Sequence, residues 1–275
     1  MTGMRAKSFL ALTLMPLVLS ACGTEGDDGA EMSDTPASQA VQGNRMIELL
    51  EDDEVVFGIF SGEQTPEGGR MMAENSGVDF VFYSLESGPF DLDAMGAYMT
   101  GLEEASAGPP PPLALRIPPI RDDREAAVER TAQGLAAGAS AIVYPHVESV
   151  EDAELAAEAV GDRLWPTNPD GDVLNVLLIE DQIGIERATE IVGTPGAGVV
   201  IPGPGDLRRA YEGDMEAVEN AIQTVLAACL EQDVACGITA GVDDIESRIE
   251  QGFRFFIVTE PEAIEVGRAA AGRES

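Results

Sequence analysis

Between residues 55 and 271 the chain switches eight times from a short apolar run to a segment of helical pattern, and this repeat is the tightest constraint on its fold. The apolar runs lie at 55–60, 78–83, 113–116, 141–144, 173–179, 198–201, 234–238 and 254–258. Helical segments follow them at 66–75, 91–104, 122–137, 150–160, 183–191, 215–231, 243–251 and 260–271, and one further short helix near 44–51 precedes the series. Runs this short and this apolar read as strands covered on both faces, the state of a parallel sheet packed under helices. Eight strand–helix units in one domain fit a (β/α)8 TIM barrel, predicted to span residues 42–275. A doubly wound open sheet is the alternative. No Gly-x-Gly-x-x-Gly follows the first strand, which weakens the dinucleotide-binding form of that alternative. Aromatic residues make up only 5% of the chain, which suits close helix-on-sheet packing.

In a barrel of this kind, functional groups sit where the strands end. The first strand ends in Ser61-Gly62-Glu63, the second in Ser84-Leu85-Glu86-Ser87-Gly88-Pro89 and the third at Arg116. The fourth ends in Pro145-His146, the fifth in Glu180-Asp181 and the sixth at Asp206; Thr239 and Thr259 follow the last two. Two apolar runs thus each deliver one acid, Glu180 and Asp206. Paired carboxylates without a His or Cys pattern beside them suit a hard divalent ion, Mg2+ or Mn2+, with Co2+ as a substitute. Such an ion keeps positions open for a bidentate 2-oxo acid, and Arg116 opposite would stabilise an enolate oxygen as charge develops. Gly203-Pro204-Gly205 supplies backbone N–H groups for a substrate carboxylate. A single acid at a strand end is often only a helix cap; the joint placement carries the reading.

The charge balance excludes other classes. Lys and Arg total 16 against 50 Asp and Glu, a net charge of −34 spread along the whole chain. A basic surface for nucleic acid or an anionic bilayer is therefore not expected. Such acidity reads as a strongly solvated surface suited to high salt, where repulsion is screened. No Asp/Asn/Gly loop of the EF-hand type is present. The one Lys is Lys7. A Schiff-base mechanism needs a Lys nucleophile, so enolate chemistry in the rest of the chain has to be metal-assisted.

The first residues read as a targeting segment. Arg5 and Lys7 form a positive stretch, an apolar run follows at 9–19, and Leu19-Ser20-Ala21-Cys22 closes it. That ending resembles the lipobox of bacterial lipoproteins. The resemblance implies a signal peptide over 1–21, lipidation at Cys22 and a lipid-anchored protein of the bacterial cell envelope; an ordinary export signal is the plainer alternative. Residues 22–41, rich in Gly, Asp, Ser, Ala and Pro, read as a flexible tether. Of the remaining cysteines, Cys229 and Cys236 sit in apolar segments and read as buried small hydrophobes, with a disulfide between them left open.

Several stretches together resemble the HpcH/HpaI aldolase/citrate lyase family over roughly residues 42–272. They are Phe57-Gly58-Ile59-Phe60, Gly77-Val78-Asp79-Phe80-Val81, Glu86-Ser87-Gly88-Pro89, Leu115-Arg116, Gly138-Ala139, Tyr144-Pro145, Ile179-Glu180 and Gly203-Pro204-Gly205-Asp206-Leu207. The last two are the most specific. The resemblance implies a barrel of the phosphoenolpyruvate/pyruvate-binding type, and cleavage or formation of carbon–carbon bonds through a metal-bound pyruvate-type enolate. It implies Glu180 and Asp206 as metal ligands, Arg116 at the enolate oxygen, and a homo-oligomer. The chain departs from the family's pattern at the second strand. There the family has Asp-Gly-Glu-His, whose His shuttles a proton, and this chain has Ser84-Leu85-Glu86-Ser87. Ser has no pKa suited to that work. Leu178 also replaces the family's Gln. Glu86 and His146, the only His of the chain, are the candidates to carry the proton instead. Two functions stay open: a metal-dependent carbon–carbon lyase acting on a 2-oxo or hydroxy acid, and a catalytically impaired barrel that binds a small carboxylate.

Overall fold

The structure is a computed structural model and describes residues 43–273. The targeting segment 1–21, Cys22 and the tether 22–41 lie outside the described residues. Eight parallel strands form a closed ring: β1 (Val56–Phe60), β2 (Phe80–Ser84), β3 (Leu113–Arg116), β4 (Ala141–Tyr144), β5 (Val173–Ile179), β6 (Val199–Pro202), β7 (Ala235–Ala240) and β8 (Phe255–Val258). Each pairs with the next in sequence, and β8 returns to β1 through Val56 opposite Phe255. Helices lie between the strands, as the apolar runs predict for a (β/α)8 barrel.

The two-residue period of a strand sorts the side chains. Leu174, Val176 and Leu178 point into the ring with Phe80, Phe82, Ala114, Val143, Ile201 and Ile257. The alternate residues, among them Phe57, Val81, Tyr83, Leu115, Leu177 and Ile179, pack outward against the helices. Adding two to each inward series gives Ser84 after Phe82, Arg116 after Ala114 and Glu180 after Leu178. Strand pleating alone therefore turns these three toward the mouth of the ring. Lower down, the Phe80 and Phe255 rings stack with centroids 4.5 Å apart. Gly58 makes room for them: a Cβ there would lie 2.1 Å from the Phe80 ring.

The opposite end of the ring is closed by the helix Arg45–Glu51. Its Met46 and Leu49 join the inner apolar cluster. Asn44 caps this helix, accepting from the Met46 N–H, and its amide donates to the carbonyls of Ser140 and Asp172. Beside it Asp79, 5% exposed, accepts from both terminal nitrogens of Arg273 at 2.7 and 2.9 Å and from the Phe57 N–H at 2.9 Å.

Strands and helices fall where the sequence places them, with ends shifted by a few residues. The predicted helix 183–191 is divided into Gln182–Glu186 and Ala188–Val192, with Arg187 between them at φ −114°. The two-residue strand Leu164–Trp165, which pairs with the start of β5, is too short to leave a pattern. Cys229 and Cys236 are both buried and unbridged. No described helix is long and apolar enough to cross a membrane.

Candidate functional site at the barrel mouth

Arg116 and Ser84 are register partners at the ends of β3 and β2. The Arg116 Nε donates to Ser84 Oγ at 2.9 Å, and one terminal nitrogen lies 2.9 Å from a Glu86 oxygen. The guanidinium also lies over the Phe82 ring, 5.2 Å from its centroid, a cation–π arrangement. Three neighbours thus fix a cation that lines the cavity at the mouth of the ring. Of these two polar neighbours, Ser84 stands where the chain departs from the resembled pattern, and Glu86 keeps it.

Glu180 continues β5 into the mouth and is 4% exposed. Among the described residues its carboxylate accepts one hydrogen bond, from the His146 N–H at 3.1 Å, and no Arg lies within ion-pair distance. Burial therefore dominates, with help from Asp206 and Glu86, and pushes Glu180 up to about 7 against the opposing pull of His146 and Arg116. Gly203 is required beside it. A Cβ at that position would sit 2.6 Å from a Glu180 carboxylate oxygen.

His146 follows β4 in the left-handed region, φ 54°. Its ring nitrogen Nδ1 lies 3.8 Å from Glu180 Oε2 and 3.8 Å from Asp181 Oδ2, beyond hydrogen-bond distance from both. Among the described residues that buried nitrogen has no hydrogen-bond partner. Asp181 first, then Glu180, push the imidazole above its ordinary value, against burial and Arg121. Asp181 caps the helix Gln182–Glu186 through the Gly184 N–H and accepts from Arg121 at 3.0 Å. Burial works against ionisation of Asp181, but the imidazole, the Gly184 N–H, Glu148 and Arg121 hold it well below the usual carboxylate range. Arg121 also donates to Glu148 at 2.5 Å. Sequence reasoning did not find Arg121, Glu148 or the part Asp181 plays. Their only signal was position: Glu148 and Asp181 follow strand ends β4 and β5.

Asp206 lies in the first turn of the helix Pro204–Ala210, whose N-cap is Gly203, so it is not the cap. Its carboxylate pairs with Arg209 one turn on. Arg116, Glu180, Gly203, Pro204, Gly205 and Asp206 line one cavity of about 250 Å³, walled by Phe60, Phe82, Leu178, Ile201 and Ile257. This volume suits a molecule of a few heavy atoms. Glu86, His146 and Glu180 each offer a ligand atom, all within 4.8 Å of one another. An oxygen-rich donor set with an orphaned, buried ring nitrogen fits a divalent ion.

In sequence the chain matches no protein-family model and no curated protein. In structure it is similar to an HpcH/HpaI aldolase/citrate lyase family protein from Burkholderia cenocepacia, with TM-score 0.67 and 23% identity over 82% of this chain and 96% of that one. An HpcH/HpaI aldolase from Desulfitobacterium hafniense aligns with TM-score 0.62 and 21% identity, covering 82% and 93% of the two chains. A citrate lyase beta subunit from M. tuberculosis, solved with oxaloacetate and magnesium, aligns with TM-score 0.57 and 20% identity over 79% and 97%. At these identities the likeness establishes the fold: a closed (β/α)8 barrel of the kind that HpcH/HpaI aldolase/citrate lyase proteins have.

Proposed function

We propose that the protein is a metal-dependent carbon–carbon lyase acting on a small 2-oxo or hydroxy acid. The observation that carries this is Glu180, a carboxylate buried at the mouth of the ring with no arginine within ion-pair distance among the described residues, on the same small cavity as a fixed arginine. Glu180 would hold the ion, with Asp206 on the cavity wall and Glu86 and His146 behind. When bound, the ion supplies Lewis-acid polarisation of a 2-oxo carbonyl. The residues of the chain do the rest. Arg116 faces the position of the developing enolate oxygen, and its contacts with Ser84, Glu86 and Phe82 mean that little reorganisation is needed as charge appears. Phe60, Phe82, Leu178, Ile201 and Ile257 give the cavity an apolar wall. The N–H groups at Pro204-Gly205-Asp206, where Gly205 and Asp206 retain donors, open the helix and suit a substrate carboxylate.

The measurement is decarboxylation of oxaloacetate in the presence of Mg2+, Mn2+ or Co2+. Pyruvate release should depend on the metal, vanish in Glu180→Gln and fall about 10²–10³-fold in Arg116→Ala, the usual cost of an oxyanion donor. A metal-loaded protein without turnover refutes the lyase reading. The second reading, a barrel that binds a carboxylate without turning it over, is favoured by one observation. Ser84 stands where the family's pattern has the acid behind its proton-shuttling His, and its hydroxyl is engaged by Arg116. Calorimetric binding of oxamate without turnover would establish that reading. We place the protein on the cell envelope, anchored through Cys22, on the strength of the segment 1–22 alone; Cys22→Ser should release it from the membrane fraction.

A further inference from the structure

We propose that His146 is a metal ligand, and that the site takes a divalent transition ion through one ring nitrogen of His146 with oxygens of Glu86 and Glu180. This rests on the metal-site reading above and adds to it a nitrogen donor and a preference among ions. Three observations carry it. The three residues come from the ends of β2, β4 and β5, and closure of the ring brings one ligand atom of each within 4.8 Å of the others. The His146 N–H donates to Glu180 Oε2 at 3.1 Å, so two of the three donors are tied together by the backbone.

The third observation is the ring nitrogen itself. Among the described residues His146 Nδ1 is buried and has no hydrogen-bond partner, although two carboxylates each stand 3.8 Å away. A buried polar atom left unpaired is costly, and a cation among these groups would satisfy it. Glu180 and Asp181 both face this one nitrogen, so a cation held here by His146 and Glu180 would also be balanced by Asp181, which Arg121 and the Gly184 N–H hold in place.

An imidazole in the donor set changes the expected ion. Mg2+ favours oxygen ligands and keeps its waters, whereas imidazole suits transition ions, whose affinity rises from Mn2+ toward Co2+ and beyond. The site should therefore bind Mn2+ and Co2+ more tightly than Mg2+.

His146 is the only histidine of the chain, so spectroscopy on the full chain, expressed without a histidine tag, assigns it without a variant. Chelator-stripped protein loaded with Mn2+ should show imidazole ¹⁴N modulation in pulsed electron paramagnetic resonance. His146→Asn, a residue that tolerates the left-handed backbone, should abolish that signal. In the same variant Co2+ affinity by calorimetry should drop at least the roughly 10–100-fold that outer-shell partners cost, with Mg2+ affected less. Bound Mn2+ without imidazole coupling overturns the proposal and leaves a site of carboxylates alone. Failure to bind Mn2+, Co2+ or Mg2+ overturns both this proposal and the metal-dependent reading beneath it.

Discussion

Asp79 and Glu180 are carboxylates buried at opposite ends of the barrel, and they are treated in opposite ways. Asp79, at the N-terminal end, is 5% exposed and receives two hydrogen bonds from Arg273 and one from the Phe57 N–H. Glu180, at the C-terminal end, is 4% exposed and receives one backbone hydrogen bond. Equal burial with unequal compensation separates a carboxylate that holds the fold together from one that is kept ready for a ligand. In a barrel the split follows the geometry: the N-terminal face carries stability and the C-terminal face carries chemistry.

The sharpest way to break this comparison is to remove Asp79. Asp79→Ala leaves Arg273 without its buried partner and the Phe57 N–H without an acceptor. Loss of one member of a buried pair costs about 3–5 kcal/mol. Urea unfolding should show that loss, while Mn2+ affinity of the folded fraction stays unchanged. A change in metal affinity would mean that the two ends are coupled.

The next largest effect is a gain. In the metal-free protein Glu180 is pushed up to about 7, above the ordinary carboxylate value it has in the unfolded chain. From the ordinary value up to about 7 the folded state holds the extra proton, so Glu180 lowers stability progressively as pH rises through that window. Below the window it costs nothing, and above it the full penalty applies. That penalty is on the order of 3 kcal/mol. Glu180→Gln should therefore stabilise the chelator-stripped protein at pH 8 and leave it unchanged at pH 4. A loss of stability at pH 8 would show instead that the folded state compensates the charge of Glu180.

The same contrast explains what could be read from the chain. The ring was legible because each strand is a single apolar run, and Glu180 and Arg116 were legible because they extend the inward-facing series by one step. The surroundings of His146 were not. Its neighbours Glu180 and Asp181 lie on another strand, and Arg121 lies 60 residues from Asp181; only pairing of β4 with β5 unites them. Asp206 was read as the natural partner of Glu180 from strand position. The structure keeps it on the same cavity but gives its carboxylate to Arg209, a local i,i+3 contact that strand-end reasoning does not see.

The smallest effect tests whether the altered second strand still serves the site. Ser84 Oγ is one of three contacts on Arg116, and Glu86 and the Phe82 ring remain when it is removed. Ser84→Ala should cost about 1 kcal/mol, the net worth of one hydrogen bond. If Ser84 only positions Arg116, turnover of oxaloacetate should fall far less than in Arg116→Ala, and the shape of the pH profile should not change. A loss of about 10²–10⁴-fold would instead be the mark of a group that moves a proton. That outcome would place the proton-transfer machinery back on β2, against the Arg116-positioning role that the geometry assigns to Ser84.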